Sequence, residues 1–288
     1  MEFTRNLKRY LIGEDVRAVK DRLVELGYLK KATHNMYGDD TRKAVMAFQS
    51  ANGLEADGIV GPMTWAALFE EPRPEPVTPV PTWIAEPART EIALALATVS
   101  AKRREICLNA LQFCVDRNMQ PSILKGFYIR GANLFDKDLS VHTMTKARLD
   151  SYFRKSSYAP YFDNGRKEMM LRMAAASDYT IPGADCSGMI VGLWRAAQVV
   201  GTGFDANANH LYSSYCVERK AADILPGDLA WKSGHIGLCV SKNWIVESAG
   251  GAYGIQLTKR TDRRCLNFVT RKATKLGKWQ NYGDPKVY

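Results

Sequence analysis

Three side chains of complementary chemistry stand at separate places in this sequence: the thiol of Cys186, the imidazole of His235 and the carboxylate of Glu247. The cysteine lies in Pro182-Gly183-Ala184-Asp185-Cys186-Ser187-Gly188-Met189-Ile190-Val191-Gly192-Leu193-Trp194. Pro182 and Gly183 make a turn, and Met189, Ile190, Leu193, Trp194 and Ala197 then recur at three- and four-residue intervals. That spacing predicts an amphipathic helix whose first turn holds the cysteine. A thiol there feels the positive end of the helix dipole, which favours the thiolate and suits a nucleophile. The same pattern also suits an inert core thiol, so a base has to be found elsewhere in the chain.

His235 opens the run "HIGLCVS", and Glu247 follows twelve residues later in "WIVES". Both runs alternate in the manner of strands. If Ser241, Lys242 and Asn243 form a three-residue loop, Cys239 faces Ile245 and Gly237 faces Glu247. His235 and Glu247 then share one face of the sheet, whereas a two-residue loop turns the carboxylate to the other face. Gly237 opposite Glu247 is expected to leave room for the imidazole. In this arrangement Cys186 attacks a carbonyl carbon, His235 carries the proton and Glu247 orients the ring. Backbone N–H groups at the helix start, that of Cys186 among them, are placed to hold the oxyanion. Taken singly, the three residues are equally well a core thiol, a strand-edge histidine and a half-exposed carboxylate.

The elements that must position these groups are short strands from Gly227 onward, in "GDLAW", "HIGLCVS", "WIVES" and "GIQLTKR", preceded by helices. Helices followed by an antiparallel sheet make an α+β domain. The stretch Thr90–Asn118 reads as helix, with Ile106, Ala110, Phe113 and Cys114 on one face. The aromatic residues between 127 and 162 are expected to pack rather than to bind ligands. The six cysteines, at 107, 114, 186, 216, 239 and 265, include no Cys-x-x-Cys, and the four histidines are scattered. No metal site, no cofactor and no disulfide framework is expected.

Upstream, Glu70–Pro87 holds six of the twelve prolines, a composition that favours an extended spacer. Before it, Val16, Val19, Leu23 and Leu26 form one helix face that Gly27 closes. "YGDDTRKAV" and "VGPMTWAAL" then repeat Gly-x-x-Thr-x-x-Ala-aliphatic, each reading as a helix start. The expected product is a small three-helix unit. The stretch from Leu11 to Phe69, with "AFQ", "GL", "DGIVG" and "TW", resembles the peptidoglycan-binding domain of cell-wall hydrolases. Lys20 stands where that family usually has Gln.

A second resemblance lies in "PGADCSGMIVGLW" and "LPGDLAWKSGHIGLCVSKNWIVES". Both are similar to the NlpC-type cell-wall cysteine peptidases, over about Gly183 to Gly250. That family implies a papain-like core, with Cys186 as nucleophile, His235 as base and Glu247 as orienting residue, where relatives often have His. It also implies that Asp185 and Ser187 help to bind the free amine of a stem peptide. The family's Tyr-x-x-Gly-Gly is not found just ahead of the cysteine, and Tyr179 is the nearest substitute for its tyrosine.

The net charge of +10 resides wholly in residues 71–288, because residues 1–70 carry equal numbers of acidic and basic groups. Such a surface suits a polyanion; an anionic Gram-positive wall fits the two resemblances, and nucleic acid does not. No apolar run is long enough for membrane insertion. The sequence thus leads us to expect a peptidoglycan-binding domain at 1–70, a proline-rich linker at 71–87 and a papain-like peptidase domain at 88–288. The expected reaction is cleavage of a stem-peptide amide. An N-acetylmuramoyl-L-alanine amidase with the same residues and an inactive wall-binding phage protein are the alternatives. The N-terminus lacks the pattern of a secretory signal, which with this layout suggests an endolysin released through a holin lesion.

Overall fold

The computed structural model describes residues 3–52, 54–69, 79–119 and 121–288. The chain divides into two compact units, Met1–Val77 and Thr78–Tyr288. The first has the three expected helices, α1 (Glu14–Glu25), α2 (Asp39–Ala51) and α3 (Pro62–Phe69). Val16, Val19 and Leu23 are buried against Val45, Phe48, Trp65 and Leu68. Leu26 departs from the expected face, because α1 has ended before it and its side chain is exposed. Lys20 is buried, and its Nζ donates to the carbonyls of His34 (2.5 Å) and Met36 (3.3 Å). Burial pushes its ammonium below the usual lysine range.

The second unit packs helices on a sheet. Its helices are α4 (Ala88–Ala97), α5 (Ala101–Phe113), α6 (Lys146–Phe153), α7 (Ala159–Phe162), α8 (Arg166–Ala175), α9 (Cys186–Ala196) and α10 (Ala208–Tyr215). The long helix expected over Thr90–Asn118 is broken into α4 and α5. Ser100 starts the second of these by accepting a hydrogen bond from Arg103 N, which competes with continuing the first. The chain after α5 then turns into a strand.

The strands are β1 (Val115–Asp116), β2 (Phe127–Tyr128), β3 (Gly183–Ala184), β4 (Cys216–Arg219), β5 (Leu229–Lys232), β6 (His235–Cys239), β7 (Trp244–Ser248), β8 (Ile255–Lys259), β9 (Arg264–Leu266), β10 (Ala273–Lys275) and β11 (Asn281–Pro285). Seven of them form one sheet in the order β1-β8-β7-β6-β5-β11-β4. It is antiparallel except where β1 joins β8 in parallel. β2 and β3 form a separate parallel pair.

Alternation divides the sheet's residues between two layers. Ile236, Leu238 and Val246 enter the main core together with Met189, Ile190 and Trp194 of α9. Cys239 and Ile245, of opposite parity, pack with Trp279. Residues 127–181 contribute a further cluster, in which Tyr152, Phe162, Met169 and Met173 pack together.

Of the expected spacer, residues 71–78 lie outside the described residues. The remainder is part of the second unit. Val80 and Ile84 are buried in its main core, and Trp83 Nε1 donates to the Cys114 carbonyl (3.1 Å). Proline favours extended backbone here, and the apolar side chains between the prolines provide the packing.

Candidate active site

Cys186 is the first residue of α9 and is buried. Its neighbour Asp185 keeps an extended backbone and caps the helix. One carboxylate oxygen accepts from Gly188 N (2.8 Å) and Ser187 Oγ (3.0 Å), and the other accepts from Gly131 N (2.8 Å). The cap therefore fixes the helix start and also ties it to the loop after β2. Gly188 permits this approach: a Cβ there would stand 1.9 Å from the Ala132 carbonyl oxygen. The N–H of Cys186 belongs to the first helical turn, whose donors have no intrahelical acceptor.

The β6–β7 hairpin has the register that the three-residue loop implies, with Cys239 opposite Ile245 and Leu238 opposite Val246. His235 and Glu247 consequently meet, His235 Nε2 lying 2.8 Å from Glu247 Oε2. The other ring nitrogen, Nδ1, is left for the thiol. Glu247 is fully buried and its oxygens are saturated. Arg263 Nε donates to Oε1 (2.8 Å), Arg263 Nη2 also donates to Oε2, and Thr258 Oγ1 donates to Oε1 (2.7 Å). Burial alone raises a carboxyl, but the bonds from Arg263 and His235 outweigh it and bring Glu247 down to about 2. For His235, burial works against the charged ring, while hydrogen bonds to Cys186 and Glu247 prevail and lift it to about 9. The imidazole thus holds its proton at neutral pH, between a thiol and a carboxylate.

The space over Gly237 is filled differently from the expectation. Trp279 lies there, with its ring stacked on His235 at 5.4 Å and 14°, and a Cβ on Gly237 would stand 3.1 Å from it. The Arg263 guanidinium lies 4.3 Å from the Trp279 centroid. Carboxylate and indole, the two groups against the imidazole, are held by one arginine, for which the sequence offers no signal beyond an unassigned basic residue.

The tyrosine near the cysteine also differs. Tyr179 follows α8 with positive φ and packs into the aromatic and methionine cluster of residues 127–181. Tyr128 is the tyrosine beside Cys186 and Asp185. Burial first, and then the proximity of those two groups, hold its hydroxyl proton above the usual tyrosine range. β2 brings it there by pairing Tyr128 with Ala184. Its signal was present as Tyr128-Ile129-Arg130-Gly131-Ala132, a Tyr-x-x-Gly pattern lying more than fifty residues ahead of the cysteine.

Asp185 and Ser187 line a cleft of about 580 Å³ together with Arg130, Asn207 and His210. The other cysteines lack such surroundings: burial pushes the Cys107 and Cys216 thiols up to about 12. Among the described residues no cluster of His, Cys, Asp and Glu is arranged to hold a metal ion.

Comparison with known proteins adds to this geometry mainly at the other end of the chain. Residues 12–68 match the family described as "Putative peptidoglycan binding domain". The N-acetylmuramoyl-L-alanine amidase CwlM of Mycobacterium tuberculosis is 39% identical over 59 residues, which are 20% of this chain and 14% of that protein. A probable N-acetylmuramoyl-L-alanine amidase of Bacillus licheniformis is 41% identical over 64 residues, 22% of this chain and 18% of that one. The chain therefore spans less than a fifth of the length of either relative. The crystal structure of Burkholderia AP3 phage endolysin is similar at 23% identity over 60% of this chain and 62% of that chain. Its TM-score is 0.23, too low for the likeness to bear on fold or function. What these comparisons establish is a peptidoglycan-binding segment at residues 12–68.

Proposed function

We propose that the chain is a peptidoglycan hydrolase whose second unit is a papain-like cysteine peptidase acting on a stem-peptide amide. The observation that carries this reading is the His235–Glu247 hydrogen bond beside Cys186 at the start of α9, whose Sγ lies 4.0 Å from the carbonyl of Gly234, the residue before His235. The peptidoglycan-binding segment supports the choice of substrate. By tethering the chain it raises the local concentration of wall around the second unit. The positive excess beyond residue 70 favours an anionic Gram-positive wall.

In the proposed reaction the Cys186 thiolate attacks the amide carbonyl carbon. The developing oxyanion is held by the Cys186 N–H. The His235 imidazolium gives its proton to the leaving amine as the C–N bond breaks, which leaves a thioester. Water then attacks the thioester carbonyl, with His235 taking its proton, and the carboxylic acid departs as the Cys186 sulfur is released. Glu247 keeps the ring oriented throughout and favours its charged form whenever it holds the proton. Asp185 and Ser187 border the cleft in which the stem peptide lies, in the role of binding its free amine, and Tyr128 stands next to them through its pairing with Ala184.

The test is lysis of purified Gram-positive walls by Cys186→Ala. The expected result is a loss of at least about 10³-fold with wall binding retained. Equal lysis by this variant would overturn the mechanism, and a wild-type protein that binds walls without lysing them would be the inactive wall-binding alternative. New N-termini and masses of the released fragments distinguish a stem-peptide cut from cleavage between muramic acid and L-alanine.

A further inference from the structure

We infer that a second cavity of this unit is a subsite for a carboxylate of the substrate, lying beyond the groups that flank Cys186. The inference rests on the proposed hydrolase reading. The cavity measures about 420 Å³ and is walled by the loop after β2, α6 and the far end of α9. Its lining includes five basic side chains, Arg130, Lys137, Arg148, Lys155 and Arg195, against two acidic ones, Asp136 and Asp205. Asp136 is already engaged, with His142 Nδ1 at 2.7 Å and Arg148 Nη2 at 3.0 Å.

Arg195 is the decisive residue. It is 3% exposed, yet it forms no ion pair among the described residues. Its Nε and Nη2 both donate to one neutral acceptor, the Phe204 carbonyl. A buried cation without a counter-charge carries a desolvation cost that no opposite charge offsets. An incoming carboxylate removes that cost, and a guanidinium binds a carboxylate with two parallel hydrogen bonds. Lys137 and Lys155 likewise have no carboxylate partner among the described residues, so an anion entering the cavity meets an unneutralised field.

The cavity adjoins the cleft lined by the two residues that flank Cys186. It shares Arg130, Gly131, Asn133 and Asp205 with the cleft that Asp185 and Ser187 line. Arg195 is nine residues after Cys186 on one helix, a rise of roughly 13 Å. An extended peptide advances about 3.3 Å per residue, so the carboxylate sits roughly two to four residues from the scissile bond. A stem peptide offers two candidates, the α-carboxylate of its γ-linked D-glutamate and the side-chain carboxylate of diaminopimelate. Both are absent from walls in which these groups are amidated.

The test compares three synthetic stem peptides: unmodified, amidated at D-glutamate, and amidated at diaminopimelate. With the full-length wild-type protein, one amidated peptide is expected to be cleaved at least tenfold less efficiently in kcat/KM than the unmodified peptide, and its identity names the carboxylate. Arg195→Met is expected to reduce that ratio below threefold. If this variant fails to fold, the double variant Arg148→Met with Lys155→Met is expected to reduce it as well. Equal cleavage of all three peptides, or a ratio unchanged in the variants, overturns the subsite. Titration of the same peptides into Cys186→Ala reads the preference as binding alone. If the wild type cuts no peptide, the hydrolase reading fails while this titration still decides the subsite.

Discussion

Two arginines of the second unit are almost equally buried and have opposite surroundings. Arg263 is clamped onto Glu247, which also receives His235 and Thr258, so every charge in that group has a partner. Arg195 points its charge at a carbonyl in a cavity rich in other cations. The difference teaches how burial is used in each place. Around Glu247, closed charge balance fixes a geometry, and ring, indole and carboxylate are held before any substrate arrives. Around Arg195 the balance is left open, which suits a group that arrives from outside.

Arg263→Met breaks the comparison most severely. It leaves the Glu247 carboxylate in the core with two hydrogen bonds fewer and no permanent counter-charge. The expected cost is about 3–5 kcal/mol, read by denaturant unfolding, together with loss of wall cleavage. A cost below about 1 kcal/mol would make the two arginines equivalent. Gly188→Ala acts on both sites at once, because α9 holds Cys186 at one end and Arg195 at the other. The new methyl meets the Ala132 carbonyl, and a loss of about 1–3 kcal/mol is expected in thermal or denaturant melts. No loss would mean that the loop after β2 does not have to lie against the helix. Arg195→Met sharpens the contrast. Removing an unmatched buried cation is expected to change stability by no more than about 1 kcal/mol, and a loss comparable to that of Arg263→Met would make Arg195 a structural cation.

The smallest effect is a shift in the proton balance. His235 is raised from its usual 6.5 to about 9, so the folded state holds a proton that the unfolded chain releases. The stability contributed by that charge is complete below about pH 6.5 and is lost as pH rises through about 9. Cleavage is expected to fall along the same alkaline limb as the imidazolium disappears. A pH–rate profile with its midpoint near 6.5 instead would show that Glu247 and Cys186 do not stabilise the ring's charge.

Much of the site was legible because it rests on local rules. The helix start at Cys186 follows from a turn and apolar spacing. The pairing of His235 with Glu247 follows from loop length and parity. In the first unit, the cap at Gly38 and Pro62 at the first helical position marked α2 and α3. The misses arose where contacts depend on distant chain. Arg263 and Trp279 reach Glu247 and His235 from separate loops, and no periodicity marks them. Tyr128 carried a readable pattern, but nothing local indicates that β2 returns to β3 after more than fifty residues. Leu26 and the break at Ser100 were decided by where helices end, the least certain feature of any periodic pattern. Val80 and Ile84 were masked by prolines whose composition resembles that of a spacer.

The pairing of Tyr128 with Ala184 has a consequence for how such a fold diversifies. The chain leaves the edge of the site at β2 and comes back to the same edge at β3. Everything between them is an excursion with both ends pinned and much of an apolar cluster to itself. The entropy of closing such a loop grows only slowly with its length. The excursion therefore behaves as a cassette: a longer, shorter or differently charged one can be exchanged there while Cys186, His235 and Glu247 keep their positions. Arg148, Lys155 and His142 all belong to it, so much of that cavity's lining can change within a single segment while Arg195 on α9 stays in place.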